Sequence, residues 1–256
     1  MNYIILGSGS KGNSTIIGSR DSFLIIDAGI GIREFKNKLR KHGYEFKDIN
    51  AVLITHNHSD HTKAIKYLPV EVIYGDSAIE EVEVNNQLKP FEKRIINGFE
   101  ITPLPLSHDS ENCFGFVIEK NGEKLIYVTD TGYINYKLKP YLDNGDYYIM
   151  ESNYDVKMLI NSSRPGYLKN RILSDNGHLS NDMASEYLCE LIGDKTKEII
   201  FAHISEEVNT NEKVIKTFKE VANLNNVKID NIKLKVADQK IETCGGRDYE
   251  ETHITN

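Results

Sequence analysis

Three histidines and one aspartate lie within six consecutive positions, where His56, His58, Asp60 and His61 follow the apolar run 51–54. Imidazole nitrogens and carboxylate oxygens are ligands that borderline and hard divalent cations take. Burying so many polar groups would be costly unless a metal ion or a dense hydrogen-bond network satisfied them. The stretch therefore predicts a metal site, and a solvated turn with several histidines is the alternative.

The spacing of these residues indicates a loop rather than a helix. His56 and His58 are two positions apart, so their side chains share a face only in extended backbone, whereas helical ligand pairs are spaced i, i+4. Asp60 and His61 are adjacent, and their side chains point apart. They are therefore not expected to serve the same ion as His56 and His58, which predicts two cations side by side.

Three more residues of the same chemical types follow short apolar runs. His108 follows residues 103–107, Asp130 follows 125–129, and His203 follows 199–202. Such runs, bounded by Gly or polar residues, are typical of strands. Because ligands of open sheet proteins collect at one strand edge, we expect all of these side chains to converge.

This order of residues resembles the metal signature of the metallo-β-lactamase superfamily of dinuclear hydrolases. The resemblance implies an α/β fold, the αββα sandwich, with two ion sites. The first ion would be held by His56, His58 and His108, the second by Asp60, His61 and His203, and Asp130 would bridge the two. Asp27 matches an early aspartate that supports the site without binding metal.

Segments outside these residues resemble the WalJ (YycJ) branch of the superfamily. They are residues 6–14, 151–153, 168–181 and 202–205. Phage anti-Pycsar phosphodiesterases and tRNase Z share much of this plan. The resemblance implies that Glu151 and His178 serve proton transfer. Ser152 and Asn153 depart from the sequence that follows this glutamate in tRNase Z, which argues against tRNA processing.

The glycine-rich segment 7–12 also satisfies G-x-G-x-x-G, a pattern of dinucleotide-binding folds. That fingerprint requires a helix to begin there. Residues 14–18 and 23–26 instead indicate two further strands. We expect the glycines to let this loop approach the metal centre closely.

Composition indicates a single enzyme domain. The chain has 256 residues, and 31 Lys and Arg against 38 Asp and Glu give a net charge of −7. We predict a hydrolase domain over residues 1–238 and a polar C-terminal tail over 239–256, which frays or contacts a neighbouring subunit. Cys113, Cys189 and Cys244 are widely spaced, which favours free thiols in a reducing compartment.

The sequence contains neither a run of eighteen apolar residues nor a charged segment before a short apolar one. We therefore expect no membrane span and no secretory signal, and a cytoplasmic location. A homodimer is expected, because loops and sheet edges of a second chain often close such sites.

The apolar pattern predicts eleven strands and five helices. The strands are expected at 2–6, 14–18, 23–27, 51–55, 71–74, 100–104, 113–119, 124–129, 146–150, 199–202 and 232–236. The helices are expected at 31–42, 62–68, 76–83, 181–192 and 211–223. Short strand pairs followed by helices indicate sheets covered by outer helices.

The predicted chemistry is hydrolysis by a metal-activated hydroxide, since two cations lower the pKa of a shared water. The catalytic residues are expected to be Asp60, Glu151 and His178, with Glu151 orienting His178 to protonate the leaving oxygen. Helix capping is the alternative role of His178. The predicted ligands are all nitrogen or oxygen, so zinc is expected first and manganese second.

The segment 153–176 suggests a phosphodiester substrate. It contains cationic and aromatic residues that could hold phosphate and stack a base, although a solvated loop face explains them equally well. They are Lys157, Arg164, Lys169, Arg171, Tyr154 and Tyr167.

Three functions follow from these observations. The acidic net charge favours a small or cyclic nucleotide, because long nucleic acids normally require a basic surface. The resemblance favours a DNA exonuclease of the WalJ type. A metal-stabilised binding module without activity is the third reading.

Overall fold

The computed structural model describes residues 1–19 and 21–247, and its strands form two mixed sheets. The first sheet has six strands in the order β13-β1-β2-β3-β4-β5. Their bounds are β1 Asn2–Gly7, β2 Ser14–Ser19, β3 Ser22–Ile26, β4 Val52–Leu53, β5 Ile73–Tyr74 and β13 Thr243–Gly246.

The second sheet has seven strands in the order β12-β11-β10-β9-β8-β7-β6. Their bounds are β6 Arg94–Ile96, β7 Phe99–Leu106, β8 Cys113–Lys120, β9 Glu123–Val128, β10 Tyr147–Glu151, β11 Glu198–Ala202 and β12 Lys233–Val236. Strands β9 to β12 run parallel, whereas β6 to β9 alternate in direction.

Helices lie outside the sheets and in the loops between strands. The α-helices are α1 Ile32–Lys41, α2 Ser59–Thr62, α3 Lys139–Leu142, α4 Val156–Asn161, α5 Gly166–Leu173, α6 Asn181–Leu191 and α7 Asn211–Leu224. Short 3-10 helices cover Phe46–Asp48, Ile65–Tyr67, Val70–Val72, Val84–Asn86 and Tyr136–Leu138. None of the helices in the described ranges is long and apolar enough to span a bilayer.

The fold has four layers, two sheets between two outer layers of helices, because successive side chains of each strand point to opposite faces of the sheet. Ile26 of β3 packs between the sheets with Phe116 and Ile149, while its neighbour Ile25 packs under Phe35 of α1. The outer face of the second sheet is covered by α6 and α7, whose apolar side chains pack on β9, β10 and β11. This is the αββα sandwich that the sequence predicts, and the prediction of fold class is confirmed.

The carboxyl ends of several strands meet at one edge of the sandwich. In the first sheet β3 and β4 run parallel. In the second sheet β7 runs in the same direction as β9, because each is antiparallel to β8, and β10 and β11 share that direction. Loops that leave these ends therefore come together, as expected for a ligand site.

Two strands differ from the sequence expectation. Strand β6 was not predicted, and β13 lies inside the segment 239–256 that the sequence assigns to a polar tail. Residues 243–246 pair antiparallel with β1, so they belong to the sheet rather than to a frayed end. Two side chains of the second sheet also bond this strand. Glu198 of β11 accepts the Gly246 amide at 3.0 Å, and Lys235 of β12 donates to the Cys244 carbonyl. Residues 248–256 of the predicted tail lie outside the described residues.

The helices also depart from expectation at four places. The helix expected at 62–68 is replaced by the short α2, which ends at Thr62, and by the 3-10 helix Ile65–Tyr67. Helix α3 was not expected either. Residues 76–83 form successive turns instead of a helix, and the Asp76 carboxylate accepts the Ala78 amide at 2.8 Å. The segment 153–176 contains α4 and α5, where no regular element was expected. Both new helices lie beside the edge described above.

Candidate metal centre and active-site cleft

Nine titratable side chains predicted from the sequence converge at the common strand edge. They fall into overlapping groups whose nitrogen or oxygen atoms lie within 4.8 Å of one another. The groups are His56, His58 and His108; Asp60, His61 and His203; His56, His61 and Asp130; and Asp130, Glu151, His178 and His203. The structure thus brings together every predicted donor, in the two sets that the resemblance implies, with Asp130 shared between them.

Asp27 fixes the loop that carries the first donors. This carboxylate is fully buried and accepts hydrogen bonds from the Thr55 amide at 2.8 Å and the Thr55 hydroxyl at 3.0 Å. Thr55 lies directly before His56, so Asp27 sets the position where the extended segment leaves β4. The same carboxylate lies 2.7 Å from His61 Nδ1, which orients the Nε2 atom of His61 towards the centre.

Three residues that follow strands adopt left-handed backbone conformations. Asp27, Asp130 and His203 follow β3, β9 and β11 and have φ angles of 60°, 60° and 55°. Residues other than glycine rarely adopt such angles, and they are concentrated at functional sites. All three conformations therefore occur where the chain leaves a strand next to the converging donors.

Glu151 bonds two imidazoles at once. Its Oε1 atom lies 2.8 Å from His178 Nδ1 and 2.9 Å from His203 Nδ1. Its Oε2 atom accepts the Thr131 and Leu179 amides, each at 3.1 Å. The sequence predicts the pairing with His178 but not the one with His203.

Asp130 lies among the donors of both sets. Its carboxylate oxygens lie 3.4 Å from His61 Nε2, 3.5 Å from His203 Nε2 and 3.9 Å from His108 Nε2. Within the described residues, the buried atoms His56 Nε2, His203 Nε2 and Asp130 Oδ2 have no hydrogen-bond partner. Buried polar atoms without partners are costly, and a cation bound between them would satisfy all three. The residues present therefore fit divalent cations.

The electrostatics around His61 and His203 favour positive charge, whereas burial lowers the pKa of His56 and of His108. Burial disfavours a charged imidazole, yet the Asp27 and Asp130 carboxylates raise the pKa of His61 to about 9. For His203, burial has the same effect, and Asp130 and Glu151 raise its pKa to about 10. Burial raises the pKa of Glu151, but His178 and His203 bring it down to about 2. The field that holds protons on these imidazoles also attracts a metal cation.

Two loops approach each other closely beneath the second set of donors. Gly29 has no side chain, and a Cβ atom there would overlap the Asp60 carbonyl oxygen. Asn13 of the glycine-rich loop donates its amide to that same oxygen at 2.8 Å, and its side-chain Nδ2 lies 3.0 Å from His61 Nε2. The glycine-rich segment therefore supports the site, as the sequence predicts, and Asn13 is its direct contact.

A cleft opens above the donors between the glycine-rich loop and the segment that contains α4 and α5. Two cations line it: Arg164, held by Glu207 at 2.9 Å, and Arg171, which donates to Asp109. The other aromatic and cationic residues predicted for this role lie elsewhere. Tyr154 is buried, Lys169 donates to the Ile160 and Ser162 carbonyls, Tyr167 is largely exposed, and Lys157 is exposed outside the cleft lining.

Three residues at the site have no role assigned from the sequence pattern. Asn13 contacts His61, Asp109 lies 3.4 Å from His108 Nε2 and 3.8 Å from His58 Nε2, and Gln239 lines the cleft. The only signal for Asp109 was its position next to His108. Gln239 lies in the segment that was predicted to be a tail, so nothing in the pattern indicated it.

The sequence matches known proteins over most of its length. Residues 23–204 match the family model described as a beta-lactamase superfamily domain. The chain is 32% identical over 225 residues to exodeoxyribonuclease WalJ of Streptococcus pneumoniae (strain D39), covering 82% of this chain and 84% of that protein. It is 31% identical over 225 residues to exodeoxyribonuclease YycJ of Bacillus anthracis, covering 83% and 85%.

Among solved structures, the fold resembles that of the metallo-β-lactamase fold protein YhfI from Bacillus subtilis. The TM-score is 0.70 at 20% identity, and the match covers 95% of this chain and 99% of that one. The resemblance stated from the metal signature is thus confirmed, and so is the prediction of an enzyme rather than a binding module. The chain belongs to the metallo-β-lactamase superfamily of metal-dependent hydrolases, in the branch that contains WalJ and YycJ.

Proposed function

We propose that this protein is a metal-dependent nuclease that removes nucleotides from DNA ends. The observation that carries the proposal is the convergence of seven nitrogen and oxygen donors beside an arginine-lined cleft, into which two of them, His108 and His203, open. Three buried atoms of these donors have no hydrogen-bond partner within the described residues. The exodeoxyribonuclease names of two relatives support the choice of DNA.

The donors would hold two divalent cations in the arrangement expected from the sequence. His56, His58 and His108 form one set, Asp60, His61 and His203 form the other, and Asp130 lies between them. Without a cysteine among the donors, the sites suit zinc first and manganese second. When bound, such cations supply Lewis acidity that lowers the pKa of water and offsets negative charge on the reacting phosphate.

His178 is the proposed proton donor to the leaving oxygen. Its side chain is 19% exposed and lines the cleft, while its Nδ1 atom bonds Glu151. A buried carboxylate that bonds Nδ1 fixes the orientation of the ring. Glu151 holds His203 as well, so one carboxylate positions a proposed ligand and the proposed acid together.

Arg164 and Arg171 are the proposed phosphate contacts. Both line the cleft, and guanidinium groups bind phosphate oxygens through paired hydrogen bonds. Arg171 donates to Asp109, and its side chain is 57% exposed, so its guanidinium group is accessible to a phosphate in the cleft.

The net charge of −7 favours small or cyclic nucleotides as the substrate when the sequence is considered alone. That charge is an average over the whole surface, whereas DNA contacts only the cleft and its rim. Charges far from the cleft are screened at physiological salt, where the Debye length is about 8 Å. The local arginines and the relatives together favour DNA over a cyclic nucleotide.

The test is to incubate zinc- or manganese-loaded protein with end-labelled linear DNA, closed circular DNA and 3′,5′-cyclic mononucleotides in separate reactions. We expect stepwise shortening of the linear DNA while the circle and the cyclic nucleotides stay intact. The Asp60→Asn, His61→Ala double variant is the inactive control. Ring opening without DNA loss would instead establish a cyclic-nucleotide phosphodiesterase.

A further inference from the structure

A second groove is lined by residues 105–107, which directly precede His108. Its walls are mostly apolar or aromatic, and Lys137 is the one charged residue in its described lining. The lining residues are Phe91, Pro105, Leu106, Ser107, Tyr133, Asn135, Lys137 and Leu138. Neither the sequence motifs nor the proposed metal centre uses this surface.

Phe91 is the unusual residue of this groove. It has a φ angle of 67°, a conformation that is strained for a large aromatic side chain, and it is nevertheless 42% exposed. Its ring lies 5.2 Å from the ring of Tyr141, which is 37% exposed. The other non-glycine residues with such angles are asparagines in turns or the polar residues at the candidate metal site. Strain that holds an aromatic ring at the surface suggests a binding role.

The groove adjoins the cleft. Ser107 lies in the groove lining, and its hydroxyl bonds the side chain of Asn176, a cleft residue, at 2.9 Å. The Ser107 carbonyl accepts the Gly132 amide at 2.9 Å. Ser107 precedes His108, and Gly132 follows Asp130 by two positions, so the segments that carry two proposed ligands also form the groove floor.

We propose that this groove, with the Phe91 and Tyr141 rings at its end, binds unpaired bases of single-stranded DNA next to the bond that is cut. The inference rests on the proposed nuclease function and names the form of its substrate. Aromatic rings stack on any base, and a cation nearby serves the phosphate backbone, which is how sequence-independent single-strand sites are built. A strand running from the cleft over Ser107 and Asn176 would reach these rings.

The test combines kinetics with direct binding. In the full-length metal-loaded protein, the Phe91→Ala, Tyr141→Ala double variant is expected to raise KM for single-stranded oligonucleotides by about 5- to 100-fold, the range for lost base stacking. The kcat and the hydrolysis of bis(p-nitrophenyl) phosphate, which has no base, should stay within about twofold. Anisotropy of a labelled oligonucleotide, measured in the slow His178→Ala background, should show the same loss of affinity.

Matched substitutions separate binding from folding. Phe91→Gly removes the ring and relieves the positive φ, so its Tm is expected to equal or exceed that of the unsubstituted protein while oligonucleotide affinity falls. Tyr67→Ala removes a 51% exposed tyrosine outside the groove and should change neither property. Replacing the bases near the cut end by abasic sites should erase the difference between the double variant and the unsubstituted protein.

Affinity and KM unchanged by the double variant would overturn the inference while the nuclease proposal stands. If the unsubstituted protein hydrolyses no DNA, the nuclease proposal fails. The anisotropy measurement then still decides whether the groove binds single strands.

Discussion

Two buried carboxylates, Asp27 and Glu151, bond imidazoles on the side that faces away from the centre of the site. Each also accepts backbone amides, which tie the carboxylate to neighbouring loops. Such contacts fix the ring orientation and the tautomer of a histidine ligand. At the scale of single residues, the site is therefore organised by these two acids as much as by its histidines.

The Asp27→Asn variant tests this support. The amide group cannot accept all the hydrogen bonds that Thr55 and His61 donate, so His61 would lose its fixed orientation. We expect metal affinity to fall by about 10- to 100-fold, as for other residues behind a ligand. Competition with a chelating dye measures this change. Asp21→Asn, at an exposed aspartate, is the control, and equal affinities for both variants would refute the supporting role.

The His178→Ala variant tests proton donation. On DNA the leaving oxygen is a poor leaving group, and loss of a general acid should lower kcat by about 10²- to 10⁴-fold. With bis(p-nitrophenyl) phosphate the leaving group needs no proton, so kcat should change little. Helix α6 is capped by Ser180, whose hydroxyl accepts the Met183 amide at 3.1 Å, so capping does not explain His178. Equal losses on both substrates would contradict a proton-donor role.

Residue types and spacing predicted which side chains converge, because few arrangements other than a metal centre require so many histidines and acids at strand ends. Their roles as ligands stay predictions. The left-handed backbone at Asp27, Asp130 and His203 could not be predicted, since nothing local favours it over extended backbone. Asn13 and Asp109 also stayed without a role. Their importance comes from contacts with residues far away in the chain.

At the scale of elements, strong apolar runs predicted most strands, whereas short or unusual elements were missed. Residues 76–83 resemble a capped helix, but tight turns bury Ile79 and Val82 against the first sheet instead. Pro165 and Gly166 indicate a turn, yet they begin α5. Strand β13 contains two glycines, and its pairing with β1 depends on contacts across the whole chain.

The Gly29→Ala variant tests the close approach of two loops. A methyl group would overlap the Asp60 carbonyl and displace the start of α2, which carries two proposed ligands. We expect a loss of about 1–3 kcal/mol or more in the free energy of unfolding, as for overpacked cores, together with weaker metal binding. Thermal melts with and without metal measure both effects. Gly31→Ala is the matched control, because a Cβ there meets nothing within 4 Å. Similar melts for the two variants would contradict this view.

At the scale of the whole molecule, net charge is a poor guide to the proposed substrate, because DNA would contact the cleft that Arg164 and Arg171 line and not the whole surface. Each phosphate contact contributes about −0.7 to the slope of log affinity of single-stranded DNA against log salt, so the two cleft arginines together contribute about −1.4. We expect Arg171→Gln to make the slope less steep by about 0.7, whereas Arg33→Gln on α1 should leave it unchanged. Affinity measured at several salt concentrations gives the slope, and an unchanged slope in Arg171→Gln would remove this arginine from the phosphate contacts.

The expected homodimer and cytoplasmic location stay predictions, as does the domain boundary at residue 238. Light scattering of the purified protein tests the first. The αββα architecture was predictable because it follows from the family signature and from alternating apolar strands. The C-terminal limit of the folded domain was not predictable. Residues beyond 238 form strand β13 and contribute Gln239 to the cleft lining.

The most direct test of the account is a titration of metal-free protein with manganese while the shortening of end-labelled linear DNA is followed. We expect no shortening without metal and a rate that rises until two ions are bound per chain. Full activity in the metal-free protein, or at one ion per chain, would contradict the two-ion centre. The absence of DNA shortening at any metal content would contradict the proposed nuclease function.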